Sequence, residues 1–75
     1  MATGLRPLKP QKLLKALALL GFAVVRQHGS HVILRHPDGR ITVVPYHSGR
    51  EIDRHLIRKI LRQIEMEPED FLKLI

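Results

Sequence analysis

Two of the chain's five histidines, His28 and His31, flank a Gly29-Ser30 pair in the run RQHGSHVIL, and a third, His47, follows VVPY. Imidazole titrates near about pH 6.5, so it takes or gives a proton at working pH. RNA is cut without a metal when a base removes the 2′-OH proton, that oxygen attacks the adjacent phosphate, and an acid protonates the leaving oxygen. Cationic side chains stabilise the charge that builds on phosphorus, and Arg26 and Arg35 bracket His31 in sequence. His31 is therefore a candidate general base or general acid, and His47 is the natural second proton-transfer group. The plainer alternatives are a polar residue on a solvated strand and a loop histidine ahead of a helix. Gly29 supplies a backbone conformation open to positive φ, and Ser30 closes the turn or donates to a phosphate oxygen. His28 and His31 also have a metal-like separation. No carboxylate or cysteine joins them, and zinc takes four ligands, or three and a water. Neither a metal nor a small-molecule cofactor is expected.

The rest of the chain must hold and feed that chemistry. Thirteen lysines and arginines against seven acids leave a net charge of +6 on 75 residues, which points to a polyanionic partner. Phe22, Tyr46 and Phe71 are the whole aromatic complement, too few for recognition by stacking several bases. Contacts to phosphate fit better. Lys12 and Lys15 continue a row begun by Lys9 at every third residue, and Arg58 sits between Arg54 and Arg62 at every fourth. Each row suits a phosphate backbone, and each is also an ordinary solvated helix face. Cysteine is absent, so no disulfide or thiolate site holds the fold, as suits a reducing cytoplasm. The longest apolar run, Leu13 to Val25, is broken by Lys15 and is shorter than the roughly 20 residues a bilayer needs, so no membrane span is expected. The length predicts one domain over 1–75, with a loose start at 1–7.

The elements follow from periodicity. Leu13, Leu14, Leu17 and Leu20 recur at helical spacing behind Pro10, and Gly21 with Phe22 ends the helix. FAVVRQ, HVILRH and ITVVP are strand-like, separated by HGS and by PDGR with its Asp38-Gly39 hairpin signal. Ser48 and Glu51 have capping-box spacing before the apolar stripe Ile52, Leu56, Ile57, Ile60, Leu61 and Ile64. Pro68 opens a short last helix. Helix, three antiparallel strands, helix and short helix make an α+β sandwich with helices on one sheet face. In the middle strand Val32 and Leu34 share one face and His31, Ile33 and Arg35 the other. Burying His31 and Arg35 under helices costs several kcal/mol unless they are paired, so they belong on the open side.

In order and spacing, LLGF, RQHGSHVIL, ITVVPYHSGREI and IRKILRQIEMEPEDF resemble the HicA toxins, small mRNA interferases of toxin–antitoxin pairs. The resemblance covers nearly the whole chain from about Leu8. It departs from the family early in the second helix, where Arg54 and His55 replace a common glycine-threonine pair. It implies a fold like the double-stranded-RNA-binding domain and ribonuclease activity on mRNA, with His31, the histidine of the GSH motif, as the catalytic residue. It also implies a HicB-type antitoxin that blocks the site. Two non-catalytic alternatives stand beside it: a double-stranded-RNA-binding module, and a domain whose basic face serves only to bind an acidic protein.

Overall fold

Pro10 opens the first helix, α1 (Pro10–Leu19), at a position where its missing N–H costs nothing. The computed structural model describes residues 4–75; of the expected loose start, residues 1–3 lie outside that description, and Leu5 is buried. Leu13 and Leu17 point fully into the core. The helix stops at Gly21, which has φ 98°. The Gly21 N–H donates to the Ala18 carbonyl and the Phe22 N–H to the Leu17 carbonyl, each at 3.0 Å. That pair of bonds is the left-handed helix stop in which the residue after glycine folds back on the last turn. Phe22 is buried with Leu17 as a result. A side chain at position 21 would also meet the His36 ring, at 2.9 Å from Nε2.

Three antiparallel strands follow in sheet order β1-β2-β3: β1 (Ala23–His28), β2 (His31–Arg35) and β3 (Ile41–Pro45). Gly29 (φ 60°) and Ser30, whose φ is negative, form the two-residue β1–β2 turn. This is the type II′ pattern with glycine first, whose twist matches that of the strands. His28 is thus the last residue of β1 and not part of the turn. At the β2–β3 turn, the Asp38 carboxylate accepts from the Arg40 N–H at 3.0 Å and from Arg40 Nε at 2.8 Å.

The second helix, α2 (Arg54–Gln63), starts later than the Ser48–Glu51 spacing predicts. Its cap is Asp53, whose Oδ1 accepts from the N–H groups of His55 at 2.8 Å and Leu56 at 3.0 Å. Ile52 cannot join the helix because its backbone pairs with Leu8, N to O at 2.7 Å and O to N at 3.0 Å. At its other end Glu65 takes φ 58° while the Met66 N–H returns to the Leu61 carbonyl at 2.9 Å. This repeats the stop seen at Gly21, without glycine. Arg40 ties the turn to this end: its guanidinium donates to the Ile64 carbonyl and lies over the Phe22 ring at 5.2 Å. The last helix, α3 (Pro68–Leu72), buries Phe71 completely.

The helices cover one sheet face. Val32, Leu34, Thr42 and Val44 are at most 4% exposed, and the Thr42 hydroxyl donates to Gln63 Oε1 at 2.8 Å. The other face is open. The layout is the expected α+β, double-stranded-RNA-binding-domain-like sandwich. No helix among the described residues is long and apolar enough to cross a membrane.

Candidate active site on the open sheet face

Strand register decides which side chains meet on the open face. In β2 the alternation puts His31, Ile33 and Arg35 there, opposite Pro45, Val43 and Ile41 of β3. On the other side His31 faces His28 and Ile33 faces Arg26. Regular alternation would give Val24, Arg26 and His28 a single face. The pairing instead passes over Val25, a β-bulge that shifts the phase of the strand by one residue. Val24 therefore sits across from buried Leu34, while Arg26 and His28 sit with His31. The bulge carries no sequence signature in FAVVRQH, so a two-residue period read along β1 misplaces its second half.

Arg26, His28, His31, Ile33 and Val43 line one shallow concavity of about 520 Å³. His31 and His28 are both exposed there, on an apolar floor supplied by Ile33 and Val43. Side chains directly opposite on neighbouring strands have Cβ atoms roughly 5 Å apart, so the two imidazoles start side by side, and Arg26 lines the same concavity. Arg35 shares the face but lies at the far end of β2. Four residues of strand put it about 13 Å along from His31, and it does not line the concavity.

The turn beneath these side chains is tied to the third strand: the Tyr46 N–H donates to the Ser30 carbonyl at 2.6 Å. That bond holds Gly29-Ser30 and the end of β3 at one rim. His47 lies just beyond, exposed, in a separate groove lined by Pro45, Arg50, Glu51, Ile52, Asp53 and Leu56. Lys12 and Lys15 line a hollow with Leu19 and Ile75, and Arg58 lines another with Arg62 and Glu65. The residues singled out in the sequence thus fall into two sets. Arg26, Gly29, Ser30, His31 and Arg35 belong to the β1–β2 hairpin; Lys12, Lys15 and Arg58 belong to the helical layer. His28 is the neighbour of His31 that sequence reasoning weighed only as a metal ligand. Cross-strand pairing across the Gly29-Ser30 turn was the signal that would have found it.

Among the described residues no group of three or more His, Cys, Asp or Glu side chains gathers to hold a metal ion. The arrangement is suited to proton transfer beside a bound phosphate: two imidazoles to exchange protons, one fixed positive charge to hold the anion, and open access for a long polymer.

A comparison with family models finds that the one described as the HicA toxin of bacterial toxin–antitoxin matches residues 10–66, from the first residue of α1 to just past α2. A search of curated proteins finds no match.

Proposed function

Because this chain belongs to the HicA toxin family, the toxin half of a toxin–antitoxin system with an antitoxin partner, we propose that it is a metal-independent endoribonuclease acting on mRNA. His31 transfers a proton to or from the reacting ribose–phosphate, and Arg26 binds the phosphate and stabilises the charge that develops on it. Gly29 and Ser30 set the angle at which β2 leaves the turn. Arg35, farther along the same face, contacts a neighbouring phosphate. A HicB-type antitoxin blocks this surface. The observation that supports the reading is the placement of His31: exposed, beside Arg26, on the sheet face the helices leave bare.

The products are a 2′,3′-cyclic phosphate and a 5′-hydroxyl. The test is cleavage of a purified transcript with a chelator present. The wild-type protein cuts. His31→Ala folds, binds RNA and cuts about 10²–10⁴-fold more slowly. Full cleavage by that variant removes His31 from the mechanism.

A second reading, a module that binds double-stranded RNA or an acidic antitoxin without cutting, is favoured by one observation. Lys12, Lys15 and Arg58 are exposed on the helical layer, away from the concavity that holds His31. It predicts affinity that falls as salt rises, with no cleavage at any pH.

A further inference from the structure

We propose that His28 is the second proton-transfer residue of the site, paired with His31 across the β1–β2 hairpin, so that cleavage runs on two histidines. The assignment rests on the endoribonuclease reading of the open face and adds to it the partner His31 lacks. Sequence order favours His47 for that role, but the geometry points to His28. His28 and His31 are register partners on adjacent strands, share one face because they close the two-residue Gly29-Ser30 turn, and line the same concavity with Arg26. His47 lines a different groove.

Internal attack on RNA needs two proton carriers on opposite sides of one phosphorus atom. One neutral imidazole takes the 2′-OH proton as the O2′–P bond forms. The other, protonated, gives its proton to O5′ as the P–O5′ bond breaks. One proton is gained and one lost, so the pair resets by exchanging a proton with water once the cyclic phosphate has left. Two imidazoles whose Cβ atoms stand roughly 5 Å apart reach both sides of a phosphate seated between them. Among the described residues of the sheet, the other charged groups on this face are Arg26 on β1 and Arg35 at the far end of β2. From β3 the same face receives Pro45, Val43 and Ile41, none of which titrates. The pH dependence of cleavage therefore belongs to the two histidines.

The experiment uses the full chain, a short RNA, and the same RNA with sulfur in place of the bridging O5′, with a chelator present over roughly pH 5 to 9. A thiolate leaves without a proton, so the sulfur substrate rescues loss of the acid and not loss of the base. The wild-type protein shows a bell-shaped rate profile. His28→Ala and His31→Ala each cut the oxygen substrate about 10²–10⁴-fold more slowly and lose one limb of the bell, and one of the two recovers on the sulfur substrate. His28→Gln behaves as His28→Ala. Thermal unfolding of each variant, and its affinity for an uncleavable 2′-deoxy analogue, stay at the wild-type values. If His28→Ala cuts within about threefold of wild type with both limbs intact, or if sulfur rescues both variants or neither, the pairing is overturned. If wild-type protein leaves RNA whole, or His31→Ala cuts at full rate, the endoribonuclease reading falls and takes the pairing with it. If His31→Ala fails while His28→Ala cuts normally, only the pairing falls.

Discussion

Leu34 and Arg35 are adjacent in β2, yet they live in different worlds. Leu34 is 1% exposed beneath the helices, and Arg35 projects from bare sheet. The same division runs along β2 and β3, where the covered face is apolar save for Thr42, whose hydroxyl is satisfied by Gln63. The open face mixes cations and imidazoles with Ile33, Val43 and Ile41, and Ile41 and Val43 are themselves exposed. One side of the sheet answers to packing, and its residues are exchangeable only for others of similar volume. The other answers to access, and its residues are free of the fold.

The largest effect that separates the two faces is a paired substitution at these neighbours. Leu34→Ala costs about 3 kcal/mol in denaturant unfolding, because it empties volume in a core too small to refill it. Arg35→Ala changes stability by less than about 0.5 kcal/mol. Equal losses at the two positions would break the contrast. Gly29 is the next test, because it anchors the open-face chemistry from within the turn. A methyl group there meets nothing within 4 Å, so Gly29→Ala costs only the strain of positive φ, about 1–2 kcal/mol. The loss is read as a lowered melting temperature. A smaller change of opposite sign is expected where α2 ends. Glu65 holds a left-handed conformation that glycine adopts freely, so Glu65→Gly stabilises by roughly 0.5–1 kcal/mol in the same assay.

The smallest effect is a matter of acid. The Arg40 N–H lowers the Asp38 carboxyl below its ordinary value, desolvation opposes it, and the Arg40 guanidinium and then His36 add to the lowering. A carboxylate lowered on folding lends stability that is present above its unfolded pKa and lost as pH falls through the folded one. Asp38→Asn should therefore flatten the acid end of the stability profile and leave the neutral region close to wild type. An unchanged acid limb would show that the Asp38–Arg40 contact is only a surface pair.

The covered face was the legible one. Leucine spacing in α1, the Gly21-Phe22 stop, the Asp38-Gly39 turn and the alternation of Val32 with Leu34 all report local preferences, and each appears where the sequence puts it. What was illegible depends on residues distant in the chain. The start of α2 moves to Asp53 because Leu8, 44 positions earlier, claims the backbone of Ile52. The Arg40 guanidinium finds the Ile64 carbonyl across the fold. Of the candidate site, His31 and its exposure were legible from one strand's alternation. The partnership with His28 was not, since FAVVRQ ends the strand at Gln27 and assigns His28 to the turn, whereas the two-residue Gly29-Ser30 turn keeps His28 in β1 opposite His31. The family match ends at residue 66, yet Phe71 beyond it is fully buried and completes the same core.

Every residue of β1, from Ala23 to His28, is exposed. The strand is fastened by its hydrogen bonds to β2 and by little else, much as a diving board is fixed along one edge. Its amides should be among the first in the sheet to exchange with heavy water, since few buried apolar contacts oppose their opening. A polyanion held by Arg26 and lying across β1 and β2 would clamp the board to its support, so occupancy of the concavity should slow that exchange before it alters anything in the helices.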